Sequence, residues 1–387
     1  MLKSLWFLNF STFFFFLGIS ILNPLISPYA ITLGAEPFLV GLIAGVTSAV
    51  SLVSKLFGGY IGDKGYRFHA MFIGNILGAL AGIFYVFSSL LGNIWIFAIG
   101  RAIHGFAMGI FFPSSLSSAV DLAPKGRVGE ALGWRGMMFS LGNIIGPAIG
   151  GFISDKLGFI SAFLSSIVFS IIGSMFVLII WREIGEIKVS GHRKHGRYLD
   201  LVRPFFIAAC LSLFFISMAY SGVVTFLPAL YKVSGLGQSV FGLYMMIMGV
   251  ASFFTRVIGG RSADKLGPIP VIRVGVGVIF SGYLALLFYK FPPQSYLVAV
   301  LSGAGFGLAL PALQYMALAK LPGNIRTMGS SIYTMFFDLG MLSGQVILGY
   351  VAQLSGYEGV FPIVAVLPIL SIFLVHIPLI WREKNES

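Results

Sequence analysis

The sequence predicts an all-α integral membrane protein of twelve transmembrane helices, built as two pseudo-symmetric six-helix bundles. The first observation is composition, because 57% of the 387 residues are hydrophobic and only 10% are charged. A soluble domain of this length does not need so much apolar surface. The second observation is an internal repeat, and the third is a single long polar stretch near the middle of the chain.

The internal repeat relates the second half of the chain to the first. The segment SLVSKLFGGYIGDKG, Ser51 to Gly65, returns as SFFTRVIGGRSADKLG, Ser252 to Gly267, 201 positions later. Further glycines match at an offset of 198, and they include the pairs Gly105 with Gly303, Gly109 with Gly307, and Gly158 with Gly356. Duplicated membrane chains of this kind are common among secondary transporters.

Apolar runs of about 20 residues mark the spanning helices. We predict spans at 4–30, 37–61, 70–91, 94–120, 131–154, 160–181, 204–230, 238–262, 269–289, 295–319, 327–351 and 359–381. The first run is longer than the apolar part of a signal peptide, so it is expected to stay in the protein. The organisation is then an N-terminal bundle (1–181), a basic linker (182–203) and a C-terminal bundle (204–387).

The basic residues predict the orientation of these spans. If Lys3 lies inside, only Lys156, Lys232 and Lys290 fall on the outer side. Since positive charge concentrates on cytoplasmic loops, both termini and the linker are expected in the cytoplasm, in a multi-pass plasma-membrane protein. This topology also accounts for the net charge of +12 without a nucleic-acid partner. The linker could also lie on anionic lipid headgroups.

The sequence argues against enzymatic function. Cys210 is the only cysteine, which excludes an internal disulfide framework and a cysteine-based metal site. There is no phosphate-binding loop for ATP hydrolysis, and the five histidines form no pattern for an intramembrane metal. We therefore predict no catalytic residues, no cofactor and no metal.

The loop after the second span carries the most specific motif. GYIGDKGYR, Gly59 to Arg67, resembles the pattern G-x-L-a-D-[RK]-x-G-[RK] of the major facilitator superfamily. Gly59, Asp63 and Lys64 match, and Arg67 keeps its four-residue spacing from Asp63, although Gly65 comes one position early. The second copy keeps Asp264 and Lys265 but has Pro268 in place of the arginine. The resemblance covers nearly the whole chain and implies the major facilitator fold.

The resemblance implies a conformational latch at this loop. In the family, the aspartate packs against the start of the eleventh helix in the outward-open state, where the helix dipole favours a negative charge. The arginine reaches an acid at the inner end of the fourth helix, and Asp121 stands at that position here. Asp63, Arg67 and Asp121 would then form a charge relay. The alternative is that Asp63 and Asp264 only cap tight cytoplasmic turns.

The fifth span carries a complete glycine–proline motif, GNIIGPAIGG. It resembles the family pattern G-x-x-x-G-P-x-x-G-G, typical of drug and metabolite antiporters. Glycines four apart allow another helix to approach closely, and proline weakens the local hydrogen-bond ladder. Generic small-residue packing is the alternative. The motif residues are Gly142, Gly146, Pro147, Gly150 and Gly151.

Ionisable residues within the spans are candidates for proton coupling, because charges in a membrane are costly. Arg101 resembles the family's fourth-helix arginine, which has been tied to proton movement, although it could instead extend outward to the membrane surface. His104 lies three residues after Arg101. It is either a proton carrier or a neutral histidine that is hydrogen-bonded to a neighbouring helix. Asp338 is the most isolated acid, either a proton carrier or part of a static pair with a buried base such as Arg101.

Polar residues on the helices that line the family's cavity are candidates for solute binding. They are Asn9, Asn23, Tyr220, Thr225, Gln314 and Tyr315, together with Asn143 and Gln345 on the fifth and eleventh spans. Of the run Phe13 to Phe16, most side chains are expected to meet lipid, because four adjacent residues cannot share one helix face.

The resemblance implies a secondary active transporter that works as a monomer by alternating access. The main expectation is proton-coupled export of a moderately apolar organic small molecule. The alternatives are an uptake permease for a sugar or other nutrient, a lipid or glycolipid flippase, and a receptor-like homologue that moves nothing. The first span has no acid between Lys3 and Glu36, which argues against a strongly cation-selective pocket.

Overall fold

The computed structural model describes residues 2–63, 65–122, 128–185, 203–318 and 326–376, and these residues form helices joined by short turns. The helices are α1 (Leu2–Ser20), α2 (Ile26–Thr32), α3 (Pro37–Asp63), α4 (Arg67–Leu91), α5 (Ile94–Asp121), α6 (Val128–Ile184), α7 (Pro204–Val233), α8 (Gln238–Leu266), α9 (Pro268–Leu286), α10 (Gln294–Leu318), α11 (Arg326–Ser355) and α12 (Val360–Leu374). A 3₁₀ turn, Tyr357–Gly359, precedes α12.

Ten helices in the described part of the chain are long and apolar enough to cross a membrane. One of them, Trp134–Ile184, contains both the fifth and the sixth predicted spans. The two spans are separated at Gly158, where the backbone leaves the helical conformation with φ 82° and ψ 169°. Gly356, its partner in the repeat, separates α11 from the 3₁₀ turn with φ 74°. The first predicted span is divided by a turn into α1 and α2. The predicted all-α membrane fold of twelve spans in two related halves is confirmed.

Compact packing groups the chain into two units. The first contains residues 1–191 and 231–246, and the second contains residues 192–230 and 247–387. The units differ from the predicted halves in one segment, residues 231–246, which packs with the first unit. The division into residues 1–181, a linker of residues 182–203 and residues 204–387 remains a prediction.

Glycines bring helices together in the first unit. A Cβ added to Gly142 would lie 2.9 Å from the Leu17 nitrogen of α1, and one added to Gly146 would meet Ser20. On α5, Gly105 and Gly109 bring its backbone against Thr47 and Ser54 of α3. The ends of this unit also meet, because Lys3 Nζ lies 3.3 Å from Glu183 Oε1. The helices therefore begin and end at the same side, as six crossings require.

The second unit repeats these contacts. Gly340 and Gly344 of α11 lie against Ser217 and Ser221 of α7, as the fifth-span glycines lie against α1. Gly303 and Gly307, the repeat partners of Gly105 and Gly109, bring α10 against Met248 and Thr255 of α8. Matched glycines thus make matched helix contacts, which gives the sequence repeat its physical meaning.

Candidate functional site

An ion pair joins the start of α4 to the end of α5 in the first unit. Arg67, at the start of α4, pairs through Nη1 with Asp121 Oδ2 at the end of α5, and its Nη1 also lies 3.4 Å from the Ser117 carbonyl oxygen. Arg67 is buried and only 24% of the Asp121 side chain is exposed. The contact joins two of the three residues predicted to form the relay. The side chains of Asp63, Lys64 and Asp264 lie outside the described residues, and Lys265 is exposed.

The turns next to these aspartates use glycine in both copies of the repeat. Gly65 has φ 95° and Gly267 has φ 81°, a left-handed conformation that residues with a Cβ adopt only at a cost. Gly59 lies within α3. The early glycine of the first copy therefore still provides a tight turn, two residues after Asp63 rather than three.

A buried polar cluster joins α3, α4 and α5 of the first unit. Arg101 donates from Nη2 to the Ala44 carbonyl oxygen at 3.0 Å and from Nε to the Ile43 carbonyl oxygen at 3.4 Å. Arg101 is 5% exposed, so the alternative in which it extends to the membrane surface is wrong. The physical reason is that α3 supplies carbonyl acceptors within the protein.

His104 belongs to the same cluster. Its Nδ1 lies 3.1 Å from the Tyr85 hydroxyl of α4. Both His104 and Tyr85 are buried, and His104 Nε2 has no partner within the described residues. The sequence did not reveal Tyr85, since it is 19 positions away on a separate helix. An isolated hydroxyl in an apolar span is the only available signal.

The glycine–proline motif of α6 lies at two helix contacts. Gly142 and Gly146 face α1, and Gly150 meets Ile21 in the turn that follows it; Ser20 Oγ donates to the Gly142 carbonyl oxygen at 2.6 Å. A Cβ added to Gly151 would instead lie 2.7 Å from the Gln238 carbonyl oxygen at the start of α8. The Pro147 carbonyl, inside α6, borders Gly242. Glycine spacing predicted close packing, and the structure identifies α1 and the segment 238–242 as the partners.

Asp155 holds the start of α8 against α6 within the first unit. Its carboxylate accepts the Gln238 N–H at 2.7 Å and the Ser239 N–H at 2.8 Å. These N–H groups are unpaired at the start of any helix, and a negative charge there is favoured by the helix dipole. The sequence gives no sign of this role for Asp155, because its partners are more than 80 residues away.

Arg135 is a buried cation on α6 and was not among the residues predicted from the sequence. Its Nη2 donates to Ser115 Oγ at 2.8 Å, and its guanidinium carbon lies 4.6 Å from the centroid of the Phe112 ring. Arg135 is 4% exposed, and its Nε has no partner within the described residues. An arginine within an apolar span was the available signal, the same one that identified Arg101.

The other candidates differ in their surroundings. Asn9 is buried, and its Oδ1 has no partner among the described residues, whereas Asn143 donates to the Phe139 carbonyl oxygen at 2.9 Å. Asn23 and Tyr220 are half-buried, Thr225 and Gln345 are buried, and Gln314 and Tyr315 are exposed. Asp338 is half-buried on α11, so it is less enclosed than its central place in the span suggested.

Two of the four phenylalanines in α1 pack inside the protein. Phe15 is buried with its ring centroid 3.8 Å from that of Phe111, and Phe16 lies 4.5 Å from the ring centroid of Phe139. Phe13 and Phe14 are half-buried. The expectation that most of this run meets lipid was wrong, because α5 and α6 offer an aromatic surface on this side of α1. Within the described residues, no group of three or more His, Cys, Asp or Glu side chains is placed to hold a metal.

Comparisons with known proteins agree with this architecture. The chain is 25% identical over 339 residues to the multidrug resistance protein MdtG of Klebsiella pneumoniae (strain 342), covering 84% of this chain and 80% of that protein. It is 25% identical over 384 residues to the MFS-type transporter MJ1560 of Methanocaldococcus jannaschii, covering 95% and 96%.

Solved structures show the same fold. A bacterial homologue of the human lysosomal transporter Spinster, inward-facing and occupied, aligns with a TM-score of 0.78 at 16% identity, covering 97% of this chain and 95% of that chain. A D-xylose–proton symporter aligns with a TM-score of 0.77 at 16% identity, covering 96% and 97%. The sequence profile of the Major Facilitator Superfamily matches residues 8–322. This chain belongs to the major facilitator superfamily and is a multi-pass membrane transporter rather than an enzyme.

Proposed function

We propose that the chain is a proton-coupled exporter of a moderately apolar organic small molecule in the plasma membrane, with both termini in the cytoplasm. The observation that carries this proposal is the complete glycine–proline motif of α6 and its close contacts with α1 and with residues 238–242. In the family this motif is typical of antiporters. Relatives named as multidrug resistance proteins also support export.

The residues take the following roles in this proposal. Asp338, Arg101 and His104 carry or control protons, and Arg67 with Asp121 forms the described part of a latch that Asp63 completes. The solute meets polar groups from the cavity candidates and apolar surface from the phenylalanines. The lack of an acid between Lys3 and Glu36 leaves proton transfer to helices other than α1 and α2.

Everted membrane vesicles with an acidic lumen test export by proton exchange. An acridine dye reports the pH gradient, and the added solutes are ethidium and 1-naphthalenesulfonate, neither of which titrates near neutral pH. An antiporter brings solute into the lumen and lets protons leave, so dye fluorescence recovers when a transported solute is added. Vesicles without the protein provide the baseline.

The alternatives give different results. An uptake symporter would leave the dye quenched in everted vesicles and would accumulate a labelled sugar or nucleoside in right-side-out vesicles. A flippase would move a labelled lipid between leaflets and leave the proton gradient intact. Either result, with no recovery of the dye, contradicts the proposal.

A further inference from the structure

Arg135 carries a positive charge that the described part of the first unit does not neutralise. The described carboxylates of this unit are engaged or distant: Asp121 pairs with Arg67, Asp155 binds backbone N–H groups, Glu183 pairs with Lys3, and Glu36 is exposed before α3. Among the described residues, Arg135 bonds to neutral groups alone, Ser115 Oγ and the Phe112 carbonyl oxygen at 3.5 Å. A buried charge without a counterion is costly in a membrane protein, and such groups mark solute or ion pathways.

Further unpartnered polar atoms lie on the helices beside Arg135. Arg135 Nε lacks an acceptor, and Ser118 Oγ, on the same face of α5 as Ser115 and one turn further along, also lacks a partner within the described residues. Both residues are buried. Buried donors are rarely left without partners, so these atoms indicate an acceptor that binds from elsewhere.

Apolar surface adjoins the same guanidinium. The Phe112 and Phe139 rings lie 4.6 Å and 6.0 Å from its carbon atom, and the Phe139 ring packs against Phe16. The Phe112 and Phe139 rings therefore stabilise one side of the Arg135 guanidinium by cation–π contacts. A guanidinium with a free N–H, a serine hydroxyl and aromatic rings together suit a carboxylate or sulfonate with an apolar body, since Arg recognises such planar or tetrahedral anions through paired N–H donors.

We propose that Arg135 is the anion-binding residue of the solute site, and that the transported solute is an amphipathic organic anion. The inference rests on the proposed function and specifies its substrate class. A purely structural Arg135, which only ties α6 to Ser115 and Phe112 of α5, would give no preference for anions. A preference for anionic over neutral and cationic ligands therefore distinguishes an anion-binding Arg135 from a purely structural one.

Thermal unfolding with three matched naphthalene probes tests the anion site. The probes are 1-naphthalenesulfonate, 1-naphthalenemethanol and 1-naphthyltrimethylammonium, which share an aromatic body and differ in charge. Cys210 is the only cysteine and is 1% exposed, so a thiol-reactive coumarin maleimide reports unfolding of the purified protein. A ligand that binds the folded state raises the midpoint by mass action.

The sulfonate is expected to raise the midpoint of the wild-type protein, and the neutral and cationic probes are not. Arg135→Gln should weaken sulfonate binding, so that the half-maximal sulfonate concentration rises by about tenfold or more, as expected for loss of a charged hydrogen bond. Arg135→Lys should keep the anion preference with weaker binding, which provides a readout if the glutamine variant fails to fold. Arg182→Gln changes an exposed arginine at the end of α6 and should behave as wild type.

Equal midpoint shifts from the sulfonate and the alcohol, or an unchanged response in Arg135→Gln, would overturn the anion site. The binding result is independent of transport. If ethidium exchanges for protons in vesicles while the sulfonate fails to bind, the exporter proposal stands and the anion site is rejected. If the sulfonate binds through Arg135 and no solute exchanges for protons, the exporter proposal fails instead.

Discussion

At the scale of single residues, the buried ionisable groups of the first unit separate into satisfied and unsatisfied ones. Arg101 has backbone acceptors on α3, whereas His104 has the Tyr85 hydroxyl at Nδ1 and no described partner at Nε2. Within the described part of the chain, Arg135 has only neutral partners, and its Nε has no acceptor. Buried polar groups that are fully paired stabilise a fold, whereas unpaired ones mark the places where a ligand or proton is expected.

Tyr85→Phe removes the hydroxyl that faces His104 Nδ1 and leaves a buried ring nitrogen without its partner. The variant should lower the free energy of unfolding by about 1–3 kcal/mol, the cost of one unsatisfied buried polar group. Denaturant titration of the purified protein measures the change, with Tyr289→Phe as a control because Tyr289 is exposed. Equal stability of the two variants would show that the His104–Tyr85 contact does not hold α4 to α5.

Asp338→Asn removes a charge from α11 with little change in shape. If Asp338 carries the transported proton, the variant folds, still binds solute and no longer exchanges solute for protons in acidic everted vesicles. Glu358→Gln is the matched control, since Glu358 is exposed in the same unit and pairs with Lys290 away from the middle of α11. Wild-type proton exchange by the asparagine variant would remove Asp338 from the mechanism.

At the scale of helices, small residues determine which elements approach closely. The glycines of α6 permit contact with α1 on one side and with the start of α8 on the other. Such contacts are short because no side chain separates the two backbones, and any added carbon must displace the partner helix. The motif therefore acts through backbone spacing rather than through chemistry of its own.

Gly150→Ala places a methyl group against the backbone of Ile21, which cannot move without displacing α1. We expect a loss of about 1–3 kcal/mol in the free energy of unfolding, the usual cost of overpacking. Gly136→Ala is the matched control on the same helix, because nothing lies within 4 Å of its added Cβ. The control should be neutral or stabilising by about 1 kcal/mol, since alanine favours helices over glycine. Equal effects at the two positions would contradict the close packing of α6 on α1.

Asp155→Ala removes the carboxylate that accepts the first N–H groups of α8. The amides of Gln238 and Ser239 should then exchange with deuterium faster, since two donors lose their acceptor. Lys156→Ala, at the neighbouring exposed position, should leave their exchange unchanged. Unchanged exchange in Asp155→Ala would show that this carboxylate does not hold the start of α8.

At the scale of the whole molecule, the repeat made the fold predictable. Gly105 and Gly303 match in the sequence, and each brings its helix against the equivalent neighbour in its own unit. Spans could be read from apolar runs because lipid excludes polar segments of that length. The break between α1 and α2 contains Asn23 and Pro24, a pair that favours a turn, but the apolar run continues on both sides of it and so predicted a single span.

The candidate site was only partly predictable, because its residues meet across helices far apart in the sequence. Motif spacing indicated Arg67 and Asp121, which form an ion pair. It could not indicate that Tyr85 faces His104, that Asp155 caps α8, or that Arg135 Nε has no partner among the described residues. These features depend on how helices are rotated against each other, and one sequence holds little information on rotation.

The sign of a pH change in proteoliposomes tests proton-coupled export most directly. Purified protein is reconstituted into vesicles that contain pyranine and are preloaded with 1-naphthalenesulfonate or ethidium, and the vesicles are then diluted at equal internal and external pH. An antiporter exchanges departing solute for entering protons, so the account predicts that the lumen becomes acidic and that protein-free vesicles stay unchanged. An alkaline lumen, as a symporter would produce, or solute efflux without any pH change would contradict it.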